Sequence, residues 1–396
     1  MKIYIVGIGV DGVKTLTREA ENAIASADVL IGAKRMLEPF SALGKPFLTE
    51  YRSAVIVRYL NENSFGTAAL LMSGDCGFFS GAKKLAELLD DHDTEVISGI
   101  SSPVYLCAKL KKEWSDCCFV SLHGQDRNIA RHVKAHEKTF FLLGGDMKAS
   151  DICGRLCEYG MGAVAVYIGE RLGYDNERII TGKACELSDC ETDGLCVMLA
   201  ENSGCEKALP CGIPDDEFIR GKVPMTKSEV RTLVAAGLDI GKNDTCWDIG
   251  GGTGSVSVEM AVRCENGIVC TVEKNPEAVG LIRQNQRKFG CDNIRVIEGK
   301  AEELVNALPV PDCVFIGGSG GKLEDIIAAA LGKNSGVRLI VTAVSLETLS
   351  ECIALFDKFG LEADISQIAV TRTKKIGQHT MLSAENPVYI IKRKLQ

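Results

Sequence analysis

Between residues 245 and 359 short apolar runs alternate with helical patterns, and this alternation restricts the fold more than any other feature of the chain. Strands are expected at Thr245–Ile249, Ile268–Glu273, Ile294–Ile297, Cys313–Ile316 and Val337–Val341. Helices are expected at Ser255–Arg263, Pro276–Phe289, Leu323–Leu331 and Leu346–Phe359. Strands without polar alternation, separated by helices, belong to a parallel sheet covered on both faces. Two further strands, near Glu362–Thr371 and Val388–Lys392, have no helical pattern between them and are expected to pair as an antiparallel hairpin. Five β-α units closed by a hairpin predict a seven-stranded, doubly wound α/β sheet.

The first half alternates less regularly. Strands are expected at Ile3–Val6, Ala68–Met72, Phe119–Leu122, Phe140–Leu143, Ala163–Ile168 and Leu195–Leu199, with helices up to Ala27 and from Ala82 to Leu89. That pattern predicts a second α/β domain with a mostly parallel sheet. Its spacings do not repeat those of the other half, so two different domains are expected rather than a duplication. Between them, Glu201–Pro214 holds two prolines and two glycines without periodicity. The expected division is 1–200, a linker at 201–211, and 212–396.

Composition narrows the function classes. At 396 residues, 46% hydrophobic and 25% charged, the chain has the make-up of globular domains rather than of disordered or fibrous protein. No apolar run approaches the ~18 residues of a membrane span. The apolar start Met1–Val6 is broken by Gly7, Gly9, Asp11 and Gly12 with no cleavage site after it, so a cytoplasmic protein is expected. Seventeen cysteines with no Cys-x-x-Cys pair read as buried, reduced thiols of a reducing cell, and no protein-bound metal is expected. A net charge of −8, with no basic excess in either half, argues against nucleic-acid binding.

The strongest motif is Asp248-Ile249-Gly250-Gly251-Gly252-Thr253-Gly254, placed between an apolar strand and a helix. Glycines let the backbone turn sharply and approach a ligand, and the helix start offers free N–H groups. Glu273, at the end of the next strand, is placed to accept both hydroxyls of a ribose. Dinucleotide enzymes share this pairing with S-adenosylmethionine enzymes; Asp248, the consecutive glycines and the terminal strand pair favour the methyl donor. Upstream, Thr226 and Glu229 have capping-box spacing and Met225 with Val230 the spacing of a hydrophobic staple, while Thr226 could also lie over the cofactor as a lid. Gly317-Gly318-Ser319-Gly320-Gly321-Lys322 lacks the first glycine and the final Ser/Thr of a phosphate loop. It is expected instead to let a flat substrate approach the backbone at Gly318, Ser319 and Gly320. Arg372-Thr373-Lys374-Lys375-Ile376-Gly377-Gln378-His379-Thr380 is expected in the terminal hairpin loop, either as a solvated tip or with Arg372 and His379 gripping substrate carboxylates.

Residues 212–392 resemble the decarboxylating carbon-15 precorrin methyltransferases, in GIPDDEFIRGKVPMTKSEVR, WDIGGGTGSVSVE, VEKNPEAVGLIRQN, VFIGGSGG, VSLETL and HTMLSAENPVYII. The resemblance implies a Rossmann-like class I methyltransferase domain, with cofactor contacts at Thr226, Gly250, Gly251, Gly252, Thr253, Gly254, Glu273 and Ala301. Lys300 departs from the acidic residue usual before Ala301.

In the first half, Gly7-Ile8-Gly9-Val10-Asp11-Gly12 and Ser73-Gly74-Asp75-Cys76-Gly77 each follow a strand, and Ser102 with Pro103 reads as a helix start. VGIG, ADVLIGAKRML, SGDCGFFSGAKKL, ISSPVYLCAKL, FVSLHGQ and IGERLGYDNERIITG resemble the tetrapyrrole methylase family in its carbon-5 branch. That resemblance implies a two-lobed fold binding S-adenosylmethionine in a cleft, with Gly9, Gly74, Asp75, Ser101 and Ser102 as cofactor residues. Val10, Asp11 and Gly12 replace the family's usual Pro-Gly-Asp, and Cys76 replaces a proline.

Together the resemblances imply a bifunctional S-adenosylmethionine-dependent enzyme of corrin-ring synthesis. It would methylate cobalt-precorrin-6B at carbon 15, with loss of the carbon-12 acetate carboxyl, and then carbon 5. The macrocycle is itself the nucleophile, so no activated Ser or Cys is expected; His123, His379 and Asp75 lie near ligand loops, but none is assigned as a base. Metal-free precorrin-6B, a first half that only holds the tetrapyrrole, and a nicotinamide oxidoreductase remain the alternatives. A homo-oligomer is expected.

Overall fold

The computed structural model describes residues 1–122, 128–206, 209 and 212–395. The chain divides into two units, the first made of Met1–Gly124, Glu137–Gly154 and Ala163–Ser203, the second of Gln125–His136, Arg155–Gly162 and Gly204–Gln396. The boundary is therefore not a single cut. Within the second unit the amide of Ala130 and the guanidinium of Arg155 both bond the Asp292 carboxylate, at 3.1 and 3.4 Å. His123 and part of the 201–211 segment lie outside the described residues.

The first unit holds two five-stranded sheets. β1 (Lys2–Gly7), β2 (Val29–Gly32), β3 (Phe47–Thr49), β4 (Thr67–Met72) and β5 (Asp93–Ile97) form one in the order β3-β2-β4-β1-β5, parallel throughout. β6 (Cys118–Ser121), β7 (Lys138–Leu142), β8 (Ala165–Glu170), β9 (Arg178–Lys183) and β10 (Cys196–Glu201) form the other in the order β6-β7-β10-β8-β9. Only β6 and β7 run parallel there and the remaining pairs are antiparallel, so the expected mostly parallel sheet is the first of the two and not the second. For the β8–β9 pair the reason is local: the turn Arg171–Glu177 reverses the chain without a helix. At the helix Ser102–Leu110 the N-cap is Ser101, not Ser102, with Pro103 in the first turn and no side-chain bond to the cap.

The second unit carries β11 (Thr245–Ile249), β12 (Ile268–Glu273), β13 (Ile294–Glu298), β14 (Cys313–Ile316), β15 (Arg338–Ala343), β16 (Ala363–Ile368), β17 (Thr371–Ile376), β18 (His379–Ala384) and β19 (Val388–Arg393). Seven of these form one sheet in the order β13-β12-β11-β14-β15-β19-β16, with β19 antiparallel to both neighbours. β16 and β19 pair as expected, but β17 and β18 intervene and pair only with each other. Arg372–Thr380, expected as a loop, is mostly strand. Both faces of this ribbon are exposed, so no apolar alternation marks it in the sequence.

Local chemistry fixes the helices that flank the sheet. The helix Pro276–Phe289 starts with the Asn275 side chain accepting from Glu277 N at 3.0 Å, has Pro276 in its first turn, and stops at Gly290 with φ 70°. Those are the three end signals its sequence shows. Trp247 on β11 is fully buried, and its indole N–H donates to Pro309 O at 3.0 Å. By contrast, the Thr226–Glu229 capping box does not form. The N-cap of the helix Ser228–Gly237 is Lys227, one residue after Thr226, and its ammonium has no acceptor to offer the helix N–H groups; the Glu229 carboxylate is turned to Arg372. Among the described residues no helix is long and apolar enough to cross a membrane.

In the first unit Gly7, Gly74 and Gly99 crowd together behind the strand ends. A Cβ on Gly99 would lie 2.2 Å from Gly74 O and 2.6 Å from Gly7 C and O. Backbone atoms cannot rotate away as a side chain can, so Gly99→Ala is expected to destabilise the unit by about 3 kcal/mol. Urea denaturation followed by circular dichroism checks this; a wild-type midpoint would show that the three loops do not approach so closely.

Candidate functional site

In the second unit a cavity of about 560 Å³ opens at the carboxyl ends of β11, β12 and β14. The chain leaves β11 towards β12 on one side and returns to β14 on the other, so the cavity lies at the switch point where open α/β sheets bind ligands. Its walls bring together Thr226, Gly250, Gly251, Gly252, Thr253, Glu273, Ala301, Gly318, Ser319 and Gly320, residues picked from five separate stretches of the sequence. Gly254 is not a wall residue. It begins the helix Ser255–Arg263 at φ 78°, where a Cβ would meet Ile282 Cα at 3.1 Å, so it serves helix packing.

Glu273 closes the glycine bend. Its Oε2 accepts from Gly252 N and its Oε1 from Asn275 N, both at 2.9 Å, and the two oxygens keep lone pairs for a ligand. The Gly317 turn packs against the same bend: Gly317 N and Gly318 N both donate to Ile249 O, and a Cβ on Gly250 would fall 2.7 Å from Gly318 O. Val223–Thr226 covers the bend, with Pro224 O 3.0 Å from where a Cβ of Gly252 would stand.

Asp248, beneath the bend, is fully buried. Ser257 Oγ donates to its Oδ2, and its Oδ1 has no partner. Burial pushes this carboxyl up to about 7, the Ser257 bond opposing and the Glu273 charge adding to the rise. The residue was part of the motif in the sequence, yet its isolation in the core is a tertiary fact. Lys274, Asn275 and Lys300 also line the cavity, though none was assigned to the cofactor from the sequence.

The cover over the cavity is anchored by charge. Arg231 is fully buried; its Nη1 donates to Asp215 Oδ1 at 2.7 Å and to Thr226 O at 2.5 Å, and its Nη2 to Ile213 O. Its guanidinium also lies 4.6 Å from the Phe218 ring centroid. Arg372, expected as a substrate ligand, does not line the cavity. It reaches Glu229 at 2.6 Å, Glu385 at 2.9 Å and Asp215 at 3.7 Å. His379 is exposed on β18, also outside the cavity wall.

The first unit has its own cavity of about 330 Å³, lined by Gly74, Asp75 and Ser102 but not by Gly9 or Ser101. Gly9 instead bridges the two glycine loops: Gly9 N donates to Gly74 O at 3.1 Å and Gly74 N to Gly9 O at 2.8 Å. Asp75 braces its loop by accepting from Gly77 N at 2.7 Å and Gly99 N at 3.0 Å. Asp11 accepts from the amides of Val13, Lys14 and Thr15 and from Thr15 Oγ1. Burial works against its charge, but these four bonds prevail and hold its carboxyl below the usual range. Cys76 is buried, with Sγ 3.5 Å from Ile5 O and 3.4 Å from Ile97 O, and burial raises its thiol to about 12.

The Asp248 environment sets a pH dependence. Its folded pKa lies above its ordinary value of 3.8, so the folded state keeps a proton that the unfolded chain releases. Its contribution to stability is complete below about pH 4 and is lost as the pH rises to about 7. Asp292, also buried and raised to about 7, adds a slope of the same sign. Asp248→Asn is expected to remove the first part and leave the variant more stable than wild type at pH 8 by roughly 2–4 kcal/mol. Denaturant titrations at pH 5 and pH 8 test it; parallel losses in both proteins would contradict an isolated Asp248.

Comparison with known proteins finds relatives for both halves of the chain. The tetrapyrrole (corrin/porphyrin) methylases match residues 2–188, and the precorrin methyltransferase domain matches residues 217–394. A Sinorhizobium precorrin-6Y C(5,15)-methyltransferase (decarboxylating) is 30% identical over 98% of this chain and 94% of its own length. A probable cobalt-precorrin-6B C(15)-methyltransferase (decarboxylating) of Pyrobaculum calidifontis is 39% identical over 46% of this chain and 94% of its own. Among solved structures, a precorrin-6Y C5,15-methyltransferase of Geobacter metallireducens is 39% identical, covering 46% of this chain and 96% of that one with a TM-score of 0.44. With similarity running through both units in one order, the chain belongs to the precorrin-6Y C(5,15)-methyltransferase (decarboxylating) family.

Proposed function

We propose that this chain is a bifunctional methyltransferase of corrin-ring synthesis. The second unit methylates a precorrin-6B at carbon 15 and releases the carbon-12 acetate carboxyl as carbon dioxide; the first then methylates carbon 5. Similarity along 98% of the chain to a C(5,15)-methyltransferase carries the reading. The finer fold assignment follows it: a two-lobed tetrapyrrole methylase and a Rossmann-like class I methyltransferase, working in the cytoplasm. The exposed side chains of Ile376, Met381 and Leu382 on the β17–β18 ribbon favour a homo-oligomer.

The residues of the second cavity suit S-adenosylmethionine. Asp248 borders the cavity with its Oδ1 lacking a partner, and the glycine bend leaves no Cβ in the way. Glu273 offers a fixed carboxylate to a sugar diol, and the backbone at Ala301 borders the place for adenine. The chemistry supplied by the bound cofactor is an electrophilic methyl on sulfur. The protein's own work is orientation, which alone supplies much of the rate in such transfers. Gly318, Ser319 and Gly320 leave a flat wall at which the macrocycle can present its nucleophilic carbon. When the carbon-12 carboxyl leaves, its bonding pair passes into the conjugated ring, so neither a lysine nor a metal of the protein is called on.

In the first unit the two departures from the family pattern leave both loops held in place. Asp11 holds its turn by four hydrogen bonds, and Cys76 fills the core beneath the second loop. The cobalt-bound substrate remains the proposal, and parallel assays with cobalt-precorrin-6B and precorrin-6B decide it.

Glu273→Gln keeps the shape of the carboxylate and loses its charge. It is expected to weaken S-adenosylmethionine binding at the second unit at least about tenfold and to suppress carbon-15 methylation. Carbon-5 methylation of a supplied carbon-15-methylated substrate should persist. Calorimetry with both products resolved by mass spectrometry checks it; equal loss of both activities would contradict two separate sites.

A further inference from the structure

Two residues of the first cavity are left unexplained by its glycine loops. Arg35, on the helix Lys34–Leu37, lines the cavity and donates from Nη1 to Tyr174 Oη at 2.9 Å and from Nη2 to Ser73 Oγ at 3.1 Å. Both partners are neutral. Elsewhere in this unit Arg52, Arg58, Arg171 and Arg178 each face a carboxylate; among the described residues only Arg35 and the exposed Arg18 have none, and of these two only Arg35 lines the cavity. A guanidinium has five donors in a fixed fork, and two hydroxyls hold this one in place with donors to spare. An anion that enters the cavity can take those remaining donors.

Phe79 is the second residue. It lines the same cavity at φ 47°, a backbone region that a bulky side chain enters at a cost. Its ring is 53% exposed, so burial does not compensate that strain. What fixes it is Phe78, 4.9 Å away in an edge-on arrangement and itself packed 5.3 Å from Phe119. The result is an aromatic face held open at the cavity wall, beside Met36 and Met72.

We propose that Arg35 and Phe79 recognise the methyl acceptor of the first unit, Arg35 by taking a peripheral carboxylate and Phe79 by lying against the conjugated face. The ligand class that meets both demands is a flat macrocycle bearing carboxylates. This rests on the reading of the first unit as a tetrapyrrole methylase and adds the two side chains that choose its substrate.

The test uses the full chain and two soluble porphyrins followed by fluorescence: uroporphyrin, a polycarboxylate, and tetra(N-methylpyridyl)porphyrin, a cation. Arg35→Gln is expected to weaken one class of uroporphyrin sites roughly tenfold and leave the sites of the second unit unchanged. Arg35→Lys restores part of the loss, and the cationic probe binds Arg35→Gln no more weakly than wild type. Phe79→Gly is expected to weaken both probes several-fold while raising the thermal midpoint, because glycine adopts this φ freely. A merely structural phenylalanine would not separate those effects. In the carbon-5 assay both variants raise KM for the tetrapyrrole with kcat near wild type. Unchanged uroporphyrin binding in Arg35→Gln and Phe79→Gly overturns the proposal while the two-site enzyme stands. A wild-type chain with no porphyrin site in its first unit and no carbon-5 product overturns the reading beneath it.

Discussion

The second site depends on one carboxylate that is already spoken for. Glu273 ends β12, and its two oxygens accept from Gly252 on one side and Asn275 on the other. These bonds tie the glycine bend of one β-α unit to the helix start of the next, and they leave the carboxylate oriented before any ligand arrives. Preorganised acceptors cost nothing to arrange at the moment of binding. The glycines follow from this contact. Gly250 and Gly252 both have positive φ, and around them the Gly317 turn and Pro224 come within van der Waals limits. A side chain on the bend would push apart the elements that the carboxylate joins.

The first site reaches a similar result by other means. Where the related loops use proline to fix φ, Asp11 uses its side chain, satisfying three amides and a hydroxyl. Proline restricts a chain before it folds, whereas a carboxylate with four donors restricts it only afterwards. The loop is therefore as well defined in the folded state, at the expense of ordering more on folding. Cys76 replaces the other proline with volume rather than stiffness, filling the core between the ends of β1 and β5. Sequence departures at a motif thus need not mean a lost site when another interaction constrains the same backbone.

How much was legible in the chain depended on whether the signal was local. Strands β11, β12 and β14, and the helices Ser255–Arg263 and Pro276–Phe289, lie at their expected ends because periodicity and caps sit in consecutive residues. The cavity of the second unit was legible too, since each motif sat at a strand end and parallel strands bring those ends to one edge. What failed were features decided by distant partners. Thr226 and Glu229 had the spacing of a capping box, but Arg372, far along the chain, claims the Glu229 carboxylate. β2, β3, β5 and β9 were missed: β2 and β3 span only four and three residues, and the polar, partly exposed sequences of β5 and β9 lack a clean apolar face. Arg35 and Phe79 lie inside segments that carry the family resemblance but had no role assigned there; a neutral-partnered guanidinium and a positive φ are visible only in three dimensions.

The position of Arg372 gives a different meaning to charge in the terminal ribbon. Three carboxylates already answer it, and one of them, Asp215, also binds the buried Arg231 that holds Thr226 O. A continuous polar path therefore runs from β17 to the cover of the second cavity. Arg231 also lies 3.9 Å from Glu259, which in turn pairs with Arg263 and accepts from Ile213 N. Burying such charges brings little net stability, since desolvation offsets most of the attraction. An apolar residue in place of Arg231 could fill the space, but it would not specify where Ile213 and Thr226 place their carbonyls. The network is better understood as a register for the cover than as a source of stability, and the ribbon, through Arg372, is part of that register.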